Sequence, residues 1–179
     1  MKKLNDILSL DISASSTGWS AVTNGKLRYG VIETDSKFDT SKRLHYFRTE
    51  LIRVLELIKP KEVLMEDTFV GPNPKVNKLL SKFGGVSEQL VYESLGKSPL
   101  VIDNKTVKAF FRVKKKDELF LVILDLLGWK IDEDISFNKY FNNYNDIIDS
   151  IAQLLYGCDI LLKRKKIKME REYGFRYKL

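Results

Sequence analysis

The hydrophobic period of this chain changes once, near Thr40, and that change limits the possible folds more than any other feature. Before it, "DILSLDIS", "GWSAVTN" and "KLRYGVIETD" have the lengths and apolar patterns of strands, and Asn24-Gly25 is a hairpin turn signal. These segments predict an antiparallel meander. After it, Leu44, Phe47, Leu51, Val54, Leu55 and Ile58 recur at helical spacing in "TSKRLHYFRTELIRVLELIKP", until Pro60 ends the run. "KEVLMED" and "SPLVID" read as short buried strands. Between them "NPKVNKLLSKFGGVSEQLVYESLG" is helical, with Gly84-Gly85 as a weak point. "NKTVKAFFRV" predicts a short helix and "KKKDELFLVILDLLGW" an apolar helix with a charged start. Residues 131–142 read as a loop, and "NDIIDSIAQLLYGCDILLKRKK" as a long last helix. The order β-β-β-α-β-α-β-α-α-α predicts an α/β fold with a mixed five-stranded sheet. Three antiparallel strands come first, then parallel ones, with helices on both faces. One domain over residues 1–166 and a basic, aromatic tail over 167–179 are the expected units.

Composition narrows the function classes. The 179 residues carry 31 Lys plus Arg against 24 Asp plus Glu, a net charge of +7. An excess of that sign points to a polyanion partner, most often nucleic acid. The one cysteine, Cys158, rules out an intramolecular disulfide and a four-cysteine zinc site. With no apolar run of membrane-spanning length, a cytoplasmic location is expected.

Against this basic background the placement of acids stands out. Asp11 interrupts the apolar first strand "ILSLDI", where an isolated ionised carboxylate is costly. Glu66 and Asp67 close the fourth strand. Adjacent strand residues face opposite sides, so only one of them joins Asp11. In "NDIIDS", Asp146 and Asp149 are three apart and share one face of a helix, continued by Ser150 and Gln153. Ile147, Ile151, Leu154 and Leu155 form the apolar stripe opposite. Like charges at this spacing repel, so the pair is unfavourable unless cations bind it. Acids at two strand tips and on one helix fit a divalent-metal site, since hard cations take oxygen ligands and bridge to phosphate. Each acid also has a plainer reading: Asp146 as a favourable charge at a helix N-terminus, Asp67 as a solvated turn residue.

The strand order, with Asp11, Glu66, Asp146 and Asp149 in this sequence, resembles the ribonuclease H-like nucleases, and within them the RuvC-type Holliday junction resolvases. The resemblance covers nearly the whole chain. It rests on "LSLDISASSTGWSAV" with Thr17-Gly18 after the first acid, on Glu66 at the fourth strand tip, and on "DIIDSIAQLL". It implies a homodimer that cuts four-way DNA junctions, and other branched DNA, giving paired nicks with two Mg²⁺ or Mn²⁺ ions per site held by the four acids. It also implies a junction-probing aromatic, Phe69 in "EDTFVGPNPK", with Lys75 closing that segment. In "TVKAFFRVKKKDE" it assigns DNA contacts to Lys108, Arg112, Lys115 and Lys116. Three departures, the third being the tail "KRKKIKMEREYGFRYKL", point to a diverged, phage-encoded member. Asp11-Ile12-Ser13 stands where the family has Asp-Pro-Gly, and "AFFRVKK" where a glycine-containing loop is expected.

Two other readings compete. "DISASSTGWSAV" also resembles the first phosphate loop of actin-like and sugar-kinase ATPases, but these are far longer and a second phosphate loop is missing here. A non-catalytic relative that only binds branched DNA would lack one or more of the acids, and all four are present. The Lys114–Lys116 run is also what a solvated helix start looks like, and Tyr173, Phe175 and Tyr177 among the tail cations suit either base stacking or packing between copies. His45, the only histidine, reads as structural.

Overall fold

The computed structural model describes residues 6–67, 72–131 and 136–164. Strands β1 (Ile7–Asp11), β2 (Ser16–Thr23) and β3 (Lys26–Glu33) form the meander, closed by Asn24 and Gly25, both at positive φ. Helix α1 (Thr40–Ile58) follows, capped by the Asp39 side chain on the Lys42 N–H and ended by Lys59 in the left-handed conformation. Strand β4 (Glu62–Glu66), helix α2 (Pro74–Leu95) and strand β5 (Leu100–Ile102) come next. Helices α3 (Asn104–Phe110), α4 (Lys116–Leu127) and α5 (Phe137–Arg164) complete the described chain. The sheet runs β3-β2-β1-β4-β5, with β1, β4 and β5 parallel. The mixed five-stranded sheet predicted above is therefore the one observed.

Strand alternation divides the core in two. Leu8, Leu10, Val63 and Met65 point to the side covered by α1 and α2, where Phe47, Leu51 and Phe83 pack. Ile7, Val22 and Leu64 point to the other side, under α3, α4 and α5. The apolar α4 serves this second core: Leu119, Phe120, Ile123 and Leu124 are all buried in it.

Helix α5 departs from the sequence reading at its start. It begins at Phe137, so residues 137–142 are helical rather than loop. Phe137, Tyr140 and Phe141 all stack around the buried Phe120 of α4, and this tertiary cluster outweighs the weak helix propensity of the asparagines beside them. The face carrying Asp149, Ser150 and Gln153 is buried. It lies on the sheet, where the Ser9 hydroxyl donates to the Gln153 amide oxygen at 3.4 Å. Two glycines let the helix come this close. A Cβ on Gly18 would stand 1.9 Å from the Asp146 carbonyl oxygen, and one on Gly157 would stand 2.1 Å from Leu64 Cδ1.

Candidate active site

Helix α5 crosses the carboxyl ends of β1 and β4, and the acids meet there. Asp11 is the last residue of β1, buried and paired in register with Gly18. Glu66 is the last residue of β4 and shares the α5 side of the sheet with Leu64, as strand alternation requires. Asp67 is exposed, and its N–H is spent on the Ile102 carbonyl. Asp149 is buried, and Asp146 half-buried, one turn earlier. Both lie in the middle of α5, so the helix N-terminus plays no part in placing them.

The electrostatics follow from this crowding. Burial, then a hydrogen bond and repulsion from Glu66, then repulsion from Asp149, push the Asp11 carboxyl well above the ordinary range. Burial raises Asp149 to about 6, with Glu66 and Asp146 adding to the shift and Lys116 opposing it.

Lys116 is the cation in this cluster. It is the first residue of α4, and its Nζ reaches Asp149 Oδ2 at 2.6 Å and Asn145 Oδ1 at 3.4 Å. Partial burial disfavours its charge, but Asp149, Asp11 and Asp146 outweigh that and raise its pKa. With Asp149 paired to it, no three acids among the described residues form a ready-made coordination shell. The donor set fits a hard divalent cation nonetheless. It is all oxygen, drawn from three elements, and short of positive charge, which Lys116 only partly supplies.

The other expected contacts lie on α2, on α3 and in the link from α3 to α4. Lys75 is exposed in the first turn of α2, whose N-cap is Asn73. Lys108 is half-buried in the last turn of α3, and Lys115 is exposed at the start of α4. Arg112 is exposed and left-handed, at φ 58°, with its N–H on the Ala109 carbonyl while Val113 N–H bonds back to the Lys108 carbonyl. A side chain thus occupies the helix-ending position where glycine is usual. Phe69 and the 167–179 tail lie outside the described residues. His45 is exposed on α1, on the far side of the sheet from the acids.

Sequence reasoning missed two participants. Asn104 opens α3 directly after the Asp103 cap, and its Nδ2 donates to Glu66 Oε1 at 2.8 Å. The signal was a capped helix start beside the fourth strand, but nothing local says which acid it reaches. Gly18 was noted only as part of a motif, and its bare Cα is what admits the α5 backbone next to Asp11.

No family model matches the chain. Curated relatives do match. A crossover junction endodeoxyribonuclease RuvC from Wolbachia is 38% identical over 86 residues, 45% of this chain and 53% of that protein. The RuvC of Rickettsia bellii is 29% identical over 134 residues, 68% of this chain and 83% of that protein. The chain thus spans about half the length of the first of these relatives and most of the second. Among solved structures, Thermus thermophilus RuvC in complex with a Holliday junction substrate superposes with a TM-score of 0.67 at 18% identity, covering 89% of this chain and 94% of that one. The yeast mitochondrial Holliday junction resolvase superposes with a TM-score of 0.54 at 15% identity, over 86% of this chain and 77% of that one. The chain is thus similar in sequence to RuvC proteins and shares the fold of the solved RuvC structure.

Proposed function

We propose that the protein is a structure-selective DNA endonuclease that resolves four-way junctions, and cuts other branched DNA, by metal-dependent hydrolysis of phosphodiester bonds. The observation that carries this reading is the meeting of Asp11, Glu66 and Asp149, from two strand tips and a helix, in one mutually repelling cluster in which Asp11 and Asp149 are buried. Two Mg²⁺ or Mn²⁺ ions held by Asp11, Glu66, Asp146 and Asp149 would supply the charge that activates a water and stabilises the leaving oxygen. The chain's own groups prepare the site. Asn104 occupies one oxygen of Glu66 and so fixes the edge that this carboxylate turns to the cluster. Lys116 balances Asp149 until a stronger cation competes for it. Lys75, Lys108, Arg112 and Lys115 are the phosphate contacts of this proposal, and Phe69 the base-stacking residue. Acting as a homodimer in the cytoplasm, the protein would present two sites and leave paired nicks.

The Lys116–Asp149 pair also favours a second reading, a junction-binding relative that does not cut. One experiment separates the two: labelled four-way junction, fork and linear duplex, each with and without Mg²⁺. The nuclease cuts the branched substrates only with Mg²⁺. Asp11→Asn abolishes cutting and leaves binding, because affinity comes mainly from cations against phosphate. Asp67→Asn, at an exposed residue, cuts normally. Metal-independent binding without cleavage by the wild type would establish the second reading, and undiminished cutting by Asp11→Asn would sink the site assignment.

A further inference from the structure

Residues 12–15 must reverse the chain directly after Asp11, and they contain neither proline nor glycine to set the turn. Side chains set it instead. Ser13 Oγ accepts from the Ser16 N–H at 3.0 Å and the Ser15 N–H at 3.3 Å. Thr17 Oγ1 donates to the Ser13 carbonyl at 2.9 Å and accepts from its N–H at 3.2 Å. The apex is then tied to the next element: the Thr34 hydroxyl donates to the Ala14 carbonyl, and the Thr34 N–H to the Ser15 carbonyl at 2.8 Å. Arg43 of α1 completes the knot. Its Nη2 donates to the Ala14 carbonyl and its Nε to Thr34 Oγ1 at 3.2 Å.

The burial of Arg43 is what makes this informative. The residue is only 9% exposed and lies on the side of the sheet away from the acids. Among the described residues it makes no ion pair; the Phe83 ring, 5.9 Å away, is its other neighbour of note. A buried cation without a counter-ion is unfavourable unless its N–H groups are well used. A guanidinium has several donors in one rigid plane, and here two of them serve one turn and the threonine that holds it.

We infer that Arg43 and Thr34 form a clamp that positions the turn after Asp11, and through it Asp11 itself, in the acid cluster. Arg43 is a positioning residue that acts from the opposite side of the sheet and touches no acid of the site. This inference rests on the proposed nuclease reading for its consequence, but not for its geometry.

The test compares full-length wild type with Arg43→Lys, Thr34→Val and Thr34→Ser. Lysine keeps the charge and loses the fork; valine keeps the shape and loses the hydroxyl; serine keeps the hydroxyl. Three quantities are read for each: amide exchange at Ser15 and Ser16, the Mn²⁺ concentration giving half of the maximal rise in melting temperature, and the kcat and KM for four-way junction cleavage. Arg43→Lys and Thr34→Val speed the exchange, raise the Mn²⁺ requirement by about tenfold and lower kcat with KM unchanged, as loss of outer-shell support does at metal sites. Thr34→Ser restores all three. If the two variants only lower the melting temperature, with exchange at Ser15 and Ser16 and the Mn²⁺ requirement as in wild type, the clamp is general stabilisation and the proposal is wrong. If the wild type does not cut junctions, the nuclease reading falls, and the exchange and Mn²⁺ measurements still decide the clamp.

Discussion

Asp149 and Asp11 are held where ionising them is unfavourable, and this links the candidate site to folding stability. A folded-state pKa above the unfolded value means that the folded protein holds its proton more tightly. The contribution of Asp149 is therefore fully present below pH 3.8 and is lost as pH rises through about 6. Its size is at most on the order of 3 kcal/mol, and Asp11 shifts in the same direction. In EDTA the wild type should lose more stability than Asp149→Asn between about pH 4 and pH 8, and Mn²⁺ should restore part of that loss at the alkaline end. Thermal melting of both proteins across that range checks this. Equal pH profiles would mean that Asp149 ionises freely and that the cluster is looser than its geometry indicates.

At the scale of elements, α5 is the piece that makes the site, because it brings its acids across the strand ends only by lying almost in contact with β2. Gly18 and Gly85 test this in opposite directions. An alanine Cβ at Gly18 has no room beside the Asp146 carbonyl, so α5 must shift; Gly18→Ala should cost about 1–3 kcal/mol, as overpacking does, and move the acids apart. Gly85 is exposed in the interior of α2, and an added Cβ meets nothing within 4 Å. Gly85→Ala should therefore stabilise the protein by about 0.5–1 kcal/mol through helix propensity. Urea unfolding of the two variants gives both signs. A stabilised Gly18→Ala would contradict the close packing of α5 on the sheet. Gly84-Gly85 reads locally as a weak point, yet α2 runs unbroken from Pro74 to Leu95, because Phe83, Ser87, Leu90 and Val91 are anchored against α1 and the sheet.

For the whole molecule the +7 charge becomes a prediction about salt. A protein that neutralises six or more phosphates should lose affinity by about a thousandfold between about 50 and 200 mM salt. Binding of the Asp11→Asn variant to a four-way junction across that range measures the slope without cleavage. Lys116 should add little to it, since its charge already faces Asp149, whereas Lys115 is free to add more. A flat response would make the positive charge a matter of solubility alone.

What the sequence determined by itself was whatever depends on local period and chain order. The alternation up to Glu33, the helical spacing from Thr40 and the turn at Asn24-Gly25 led to the order of elements, strand parity allowed only one of Glu66 and Asp67 to join Asp11, and the family resemblance pointed to Glu66. Asp146 and Asp149 were legible as a pair because three residues on a helix always share a face. Only the tertiary structure decided the rest. Asn104 reaches Glu66 because β5 lies beside β4, and Lys116 reaches Asp149 because α4 packs on α5. The early start of α5 depends on the ring of Phe120, and the burial of its polar face on the absence of side chains at Gly18 and Gly157. The physical reason is the range of the forces involved: periodicity is imposed by backbone geometry within a few residues, whereas these contacts join residues far apart in the chain that meet only once the sheet and helices have closed on each other.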